Sequence, residues 1–556
     1  MRIPFLNLPI CLPRLLVGVL VIAGWILGML AADARAQTAS DPRDLAVVRL
    51  NLIDLLENEP RLPLPVQQRR ESLLEFYSAQ DTRFIWLGTT RGQGLVDRLS
   101  RAEIDGLRPG DYPSGQLQAL VDAAPRADLR GQAVIELHLS AAMLEYASDL
   151  HVGRFLPSRI DPNFFLQKRS IDQVAALNAA MTATDMDAFF AGMQPSAEEY
   201  RDLRNALAGF RQLRASGGWP AMPFGETLKP GMDDPRVADL RARLGVRDPL
   251  LLLAEPGTET VYDEALVAAV EKFQAEHGLD VDGAVGPATV GALNVTIDDR
   301  IASIEVAMER WRWMPEDLGA QYVFVNIAGF ELKRVRNDVV EERMNVVVGK
   351  PYSRTPVFSD RIRYLEFNPY WNVPSSIALD EQLQELRANP ARLASQGFEA
   401  VSGDQVYDLR SIDWRQFGPG NFPFQIRQRP GANNALGRVK LMFPNPHNVY
   451  LHDTPSRSLF SRSERAFSHG CVRLQRPLDL AQQVLAVGGV PGWDRNRIDS
   501  VLASGERTVV SLEQPIPVHI AYLTAWVEDG VPQFRADIYE HDRKLLAALD
   551  GKDIAW

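Results

Sequence analysis

Cysteine is almost missing from this chain: its 556 residues include two, Cys11 and Cys471. Cys11 lies in an N-terminal stretch that reads as a targeting segment. The part beyond it therefore holds one thiol, which excludes an internal disulfide framework. Positive charge is in deficit too. Sixty lysines and arginines against 71 aspartates and glutamates leave a net charge of −11. The chain as a whole thus lacks the basic face that a nucleic-acid partner needs, although a local basic groove stays compatible with that balance. Beyond the N-terminal stretch no run is apolar enough to span a bilayer. The rest is ordinary globular composition, 46% hydrophobic and 24% charged. A chain of 556 residues outgrows one core, so three or four domains are expected.

The apolar residues concentrate at the N-terminus. Arg2 and Arg14 precede an unbroken apolar stretch over 15–32, and Ala34-Arg35-Ala36 then presents small residues at the two positions a signal peptidase reads. Residues 1–36 are expected to be a signal peptide or a membrane anchor. Their apolar stretch lies between the short core of a cleaved signal and the ~20 residues of a span, so both readings stay open. Either one exports the remainder of the chain. In an oxidising compartment a lone thiol is open to oxidation and mixed disulfides. Cys471 is therefore either a buried small hydrophobe or a nucleophile.

From about 45 to 217 the chain reads as mostly helical, and 41–232 is expected to be a helical scaffold domain. Between Ala133 and Leu150 apolar residues recur at helical spacing (Val134, Leu137, Ala141, Leu144), with Glu136 and Glu145 among the polar positions and Gly153 as the stop. His151 reads there as a helix-terminal or surface residue. A Gly/Pro-rich seam over 217–231 marks a boundary. Residues 233–296 read as three short helices, at 235–244, about 263–277 and 287–293; the second buries Leu266, Val270 and Phe273, and an Asp282-Gly283 turn follows it. From Gln321 the texture is β, with strands expected at 322–327, 344–348 and 363–367. A long mixed segment, about 375–439, reads as an insertion of the kind that commonly forms a lid.

Two strings carry groups able to do chemistry: Val449-Tyr450-Leu451-His452-Asp453-Thr454 and Ser468-His469-Gly470-Cys471-Val472-Arg473. Gly470 lets the backbone adopt a conformation closed to other residues and frees consecutive N–H groups for a developing oxyanion. A free thiol is mostly protonated at neutral pH, so a nucleophilic Cys471 needs an imidazole. His447, His452 and His469 are available. His469 shares a face with Cys471 in an extended segment, whereas His452 ends a β-rich string able to present it beside the cysteine turn; spacing alone favours neither. His447, His452, His469 and Cys471 have the residue types of a zinc site without its ligand spacing, and no metal is expected.

Two resemblances bear on these strings. Residues 262–294, through Phe273-Gln274 and the run Asp282-Gly283, Gly286-Pro287, Thr289 and Leu293-Asn294, are similar to the peptidoglycan-binding domain found beside many wall hydrolases and transferases. Such domains also serve as spacers. His452, a gap over 453–467, then Ser468-His469-Gly470-Cys471-Val472-Arg473 resembles the signature of the L,D-transpeptidase family, the YkuD-type catalytic domain. Phe443-Pro444-Asn445, Thr454-Pro455 and Tyr370-Trp371-Asn372-Val373-Pro374 add to it. Arg473 departs from a pattern that often has Asn there. The implied fold class is multidomain α+β: a mainly-β catalytic domain over 320–515 with a lid at about 375–439, an α-helical scaffold, and a small three-helix peptidoglycan-binding domain. Residues 516–556 are expected to be a C-terminal segment packing on the catalytic or scaffold domain.

By that resemblance Cys471 is the nucleophile and His452 its base. The backbone carbonyl of Asp453 orients the imidazole, His469 and Gly470 shape the oxyanion hole, and Arg473 helps place the donor stem. Tyr450, Trp371, Asn372, Asp453 and Ser468 are further substrate-binding candidates, with simple packing as the competing reading of the aromatics. The implied reaction has two acyl steps and needs no cofactor. Cys471 attacks the carbonyl of the third residue of a tetrapeptide stem, D-Ala leaves, and a thioester remains. The side-chain amine of meso-diaminopimelate on a neighbouring stem then takes the acyl group, forming a 3→3 cross-link. Expected partners are donor and acceptor stems and other cell-wall synthesis enzymes. The domain order looks like that of the large periplasmic L,D-transpeptidases of Gram-negative bacteria, which implies a periplasmic location, soluble or on an inner-membrane anchor, and acylation of Cys471 by carbapenems. Wall attachment of a lipoprotein by the same chemistry, a cysteine L,D-carboxypeptidase or endopeptidase, and a non-catalytic wall-binding scaffold stay open.

Overall fold

The computed structural model describes residues 41–80, 83–167, 169–253 and 256–551. The targeting segment expected at 1–36 lies outside them. Among the described residues no helix is long and apolar enough to cross a membrane.

The scaffold is built around the Leu129–Val152 helix, which starts on the Asp128 side chain as N-cap. It is apolar on nearly all sides, with Ile135, Leu139, Met143 and Leu150 buried along with the residues expected at helical spacing. A helix of that kind belongs inside a domain, and the helices Pro42–Asn58, Arg91–Ser100, Ser114–Ala123 and Gln173–Thr182 wrap it. Glu136, expected among the polar positions, is fully buried instead. The amides of Ile85 and Leu87 donate to its carboxylate at 2.6 and 3.1 Å, and the Tyr77 hydroxyl donates at 3.0 Å. Burial pushes its pKa up to about 7 against those bonds, which favour the charged form. The side chain organises the turn at 85–87, a role that periodicity does not reveal.

Next come helices Arg236–Gly245, Glu264–Glu276 and Pro287–Leu293, packed on Leu240, Leu266, Val270, Phe273 and Leu293. The Gln274 carboxamide oxygen accepts from the amides of Asp282 and Gly283 at 3.1 and 2.9 Å, and its nitrogen donates to the Asp282 carboxylate at 2.9 Å. Gly283 has φ +65°, a value favourable to glycine. These strings therefore carry the fold of the unit.

A 17-residue helix, Ile297–Trp313, joins this unit to the β-domain. It is nearly buried from Val306 onward and lies in two cores at once. Ile304, Met308 and Trp311 pack with Tyr200 and Leu207 of the scaffold, while Val306 and Trp313 pack into the β-domain with Ile160 and Phe164.

The main sheet contains β1 (Gln321–Asn326), β2 (Glu331–Arg336), β3 (Val339–Gly349) and β4 (Phe358–Phe367), then β9 (Val439–Met442), β10 (Leu451–His452), β11 (Ala466–Ser468), β12 (Val472–Leu474) and β13 (Thr508–Ala521). Their order is β11-β3-β12-β10-β9-β4-β13-β1-β2, and a further β2–β3 pairing closes the ring. Closure leaves only the short β11, paired with β3 alone, as an edge among the described strands, and strands such as β1, buried from Tyr322 onward, read as continuous apolar runs. The insertion between β4 and β9 is a folded lobe. Its sheet, formed by β5 (Trp371–Asn372), β6 (Phe398–Ser402), β7 (Gln405–Tyr407) and β8 (Gln425–Gln428), covers a core of its own that includes Leu386, Trp414 and Ile426. The lobe begins at β5, a few residues earlier than the sequence suggested.

The boundary expected at residue 515 falls inside β13, which pairs antiparallel with β4 up to Ile520↔Phe358 and parallel with β1. Its apolar alternation is interrupted around Gln514-Pro515, where the β4 register shifts, and that break hides the continuation from a sequence reading. A hairpin of β14 (Ala525–Glu528) and β15 (Val531–Phe534) and a helix, His541–Leu549, complete the described chain.

Replacing Glu136 with Ala should lower scaffold stability by about 2–3 kcal/mol by stranding buried amides. Urea unfolding of the chain from residue 41 onward should show an earlier first transition; an unchanged midpoint would rule out the organising role.

Candidate active site

Strand register assembles the site. Glu366 on β4 pairs with Lys440 on β9, Lys440 with His452 on β10, and His452 with Arg473 on β12. Residues directly opposite one another point to the same face with Cβ atoms about 5 Å apart. One row across four strands therefore reads carboxylate, ammonium, imidazole, guanidinium. Cys471 precedes Arg473 by two residues, and Val472 N–H donates to the Tyr450 carbonyl at 3.2 Å, which sets the cysteine beside Tyr450 and His452.

The Cys471 thiol is half-buried and donates to the Asn448 carbonyl at 3.6 Å. Asn448 takes φ +54°. Burial raises the thiol pKa; hydrogen bonds from Tyr450 and the charges of Lys440 and Arg473 pull the other way. The Tyr450 ring meets His452 edge-on at 5.5 Å, and the Lys440 ammonium lies 4.5 Å from that ring's centroid.

His452 is buried, and its Nδ1 donates to the Asp453 carbonyl at 2.5 Å. A carbonyl oxygen only accepts, so Nδ1 carries the proton and Nε2 the lone pair. Burial is the largest influence on the ring and Arg473 the next. With Lys440 they hold its pKa down to about 3 against the carbonyls of Asp453 and Leu436, which favour the charged form. Both members of the pair are neutral at rest.

The Asp453 carboxylate, a substrate-binding candidate in the sequence, is buried and already engaged. It accepts from the Arg438 amide at 3.0 Å and the Thr454 amide at 2.8 Å, and it pairs with the guanidinium groups of Arg438 and Arg457 at 3.2 and 3.3 Å. It fixes the backbone that presents the Asp453 carbonyl to His452. Ser468 is likewise buried and internal: its hydroxyl donates to the Cys471 carbonyl at 2.6 Å and accepts from Gly470 N–H at 3.1 Å. Gly470, at φ +112°, thus has its amide engaged, contrary to the expectation that it would be free. Cys471 N–H has no partner among the described residues. The His469 ring turns outward to Glu381 of the insertion, Nε2 to Oε1 at 2.7 Å.

Arg473 is half-buried, makes no ion pair among the described residues, and leaves a buried Nε without an acceptor. Trp371 and Asn372 stand on β5, with the Trp371 ring edge-on to Phe398. Among the described residues neither makes a hydrogen bond or ring contact to Cys471, His452 or Arg473. His447 packs at 3.9 Å on the scaffold ring Phe165. Cavities of about 630 and 490 Å³ lie elsewhere, one at the base of the insertion beside Tyr370 and Asn434 and one between Phe165 and Arg361. Sequence reading missed Lys440, Glu366 and Asn448. The first two alternate with buried apolar residues, a pattern that by itself reads as strand polarity.

Three family models match the chain: an L,D-transpeptidase catalytic domain over 320–511, a "Putative peptidoglycan binding domain" over 234–293, and a scaffold domain over 71–207. A curated protein of Haemophilus influenzae, named "Putative L,D-transpeptidase", is 35% identical over 233 residues, covering 42% of this chain and 47% of that protein. The match thus spans about half of the relative's length. Two solved structures are similar at low identity. An L,D-transpeptidase of Xylanimonas cellulosilytica is 17% identical with a TM-score of 0.18, covering 54% of this chain and 98% of that one. The Ldtfm–avibactam carbamoyl enzyme is 11% identical with a TM-score of 0.18, covering 41% and 64%. At those scores they carry no weight in the assignment. By the family matches residues 320–511 belong to the L,D-transpeptidase catalytic-domain family. The chain is a multidomain protein that joins this domain to a scaffold and a peptidoglycan-binding domain.

Because burial and the two flanking cations keep His452 uncharged, acidification from pH 8 to pH 5 should not titrate it. The rate of Cys471 alkylation by iodoacetamide should then show no inflection across that range and should rise only on the alkaline side, where the thiol ionises. An inflection near the ordinary imidazole value of about 6.5 would contradict this electrostatic picture.

Proposed function

We propose that this chain is an exported cysteine L,D-transpeptidase that cross-links peptidoglycan stems 3→3. The observation that supports the reading is the strand register, which runs Cys471 and Arg473 alongside Tyr450 and His452, with the His452 Nδ1 tied to a carbonyl and Nε2 left as the lone-pair nitrogen. Nε2 takes the thiol proton as sulfur bonds to the donor carbonyl carbon. Cys471 N–H, which lacks a partner among the described residues, receives the resulting oxyanion. Collapse breaks the C–N bond, His452 returns the proton to the departing D-Ala amine, and a thioester remains. The acceptor amine attacks it, His452 removes a proton from the nitrogen, and the thiolate leaves and is reprotonated.

The unpaired Arg473 guanidinium suits a carboxylate of the donor stem. A carboxylate bound there would offset the cation beside the imidazole, so the base would strengthen as the donor arrives. The insertion, touching the cysteine turn through Glu381 and His469, would serve to exclude water so that an amine outcompetes it. The peptidoglycan-binding domain would hold the catalytic domain on the wall, and the N-terminal segment would direct the chain to the periplasm.

The test is mass spectrometry of purified tetrapeptide muropeptides incubated with the exported fragment. Wild type should form cross-linked dimers and release D-Ala. Cys471→Ala should form none, and His452→Ala should be slower by about 10²- to 10⁴-fold, the usual worth of a general base. Transfer retained by Cys471→Ala would overturn the assignment, and a mild His452 effect would move the base to His469. D-Ala release without dimers would favour hydrolysis, and capture by a lysine peptide in place of a stem would favour lipoprotein attachment.

A further inference from the structure

We infer that Asp161 of the scaffold is a positioning residue for the nucleophile turn, setting from another domain the direction of the Cys471 N–H. The inference rests on the proposed transpeptidase function in taking Cys471 as the reacting atom.

Asp161 is wholly buried at the junction of scaffold, β-domain and C-terminal segment. Its Oδ2 accepts from His541 Nδ1 at 3.0 Å and Lys544 Nζ at 2.6 Å and lies 3.6 Å from an Arg354 guanidinium nitrogen, while Oδ1 accepts from the Asn163 amide at 2.9 Å. Although burial opposes the charge, these partners hold the carboxyl well below its usual range. One aspartate thereby ties down both Arg354, in the turn between β3 and β4, and the start of the C-terminal helix. Main-chain bonds continue the attachment: Phe165 N–H donates to the Val357 carbonyl at 2.8 Å, and Val357 N–H to the Asn163 carbonyl at 2.9 Å.

The turn transmits this hold to the cysteine. Two residues before His541, the Tyr539 hydroxyl donates to the Gly349 carbonyl at 2.5 Å and accepts from Thr355 N–H at 3.3 Å. The Thr355 hydroxyl accepts from Gly349 N–H at 2.9 Å and donates to the Gly470 carbonyl at 2.8 Å. The Gly470 carbonyl and the Cys471 N–H belong to one planar peptide unit, so fixing the oxygen fixes the direction of the hydrogen. Gly470, at φ +112°, lies in a region where a glycine backbone has unusual freedom. The Ser468 hydroxyl holds the Gly470 N–H and the Cys471 carbonyl on either side of this peptide, and Thr355 supplies the hold on the peptide's own oxygen; an oxyanion donor turned away loses its effect.

The test uses the full exported protein with Asp161→Asn, Thr355→Val and the double variant. Acyl-enzyme formation from a tetrapeptide donor is followed in single turnover, beside iodoacetamide alkylation, which needs no oxyanion donor, and the melting temperature. Each single variant should slow acylation about tenfold or more, the scale of a small misplacement, while alkylation stays within about twofold. The double variant should be no slower than the slower single, because both changes cut one route. Thr355→Ser should restore the rate. Should Asp161→Asn fail to fold, Tyr539→Phe interrupts the same route and carries the same expectation. Wild-type acylation by Asp161→Asn, or single effects that multiply in the double variant, would overturn the inference and leave the transpeptidase reading intact. A wild type that forms no acyl-enzyme would overturn both.

Discussion

His452 between two cations, in one row across the sheet, is the constraint on which the rest of this site depends. Lys440 and Arg473 flank it by register, and the Asp453 carbonyl holds its Nδ1 proton. An imidazole in that position stays neutral and presents a single lone pair. Burial also raises the pKa of the Cys471 thiol, against the pull of Tyr450, Lys440 and Arg473.

Rigidity around this row comes from more than one domain. The Asp453 carboxylate, held by Arg438 and Arg457, fixes the carbonyl that orients the ring. The Ser468 hydroxyl clamps the cysteine turn from within, and Thr355 holds it from outside. Behind Thr355 stand the C-terminal segment and the scaffold, and the β-domain core itself includes Ile160, Phe164, Val306 and Trp313 from outside the sheet. With cores shared in this way, the scaffold and the sheet are parts of one packed body.

Much of this was legible in the sequence where a local pattern carried it. The three helices after the Gly/Pro seam were plain because capping residues and apolar spacing agree, as at Asp263 and Leu266. The His452 and Cys471 strings stood out because the one thiol beyond the N-terminal stretch follows a glycine and the strings resemble a family signature. What stayed hidden depends on pairing. Lys440 and Glu366 acquire meaning only when strands distant in sequence come into register. Glu136 looked like a surface residue because a buried carboxylate satisfied by turn amides leaves no periodic trace. Asp453 and Ser468 looked open to a ligand, but their side chains are spent on the backbone around them. The helix Ile297–Trp313 fell between two recognised units and went unread, although its tryptophans pack the scaffold and the β-domain together.

The most direct test of the account is nitrogen NMR of the protein labelled with ¹⁵N at histidine, with the His452 signals assigned by comparison with His452→Gln. The account predicts a neutral ring at pH 7, protonated at Nδ1 and bare at Nε2, that stays neutral to pH 5. An imidazolium at pH 7, or a ring protonated at Nε2, would contradict it.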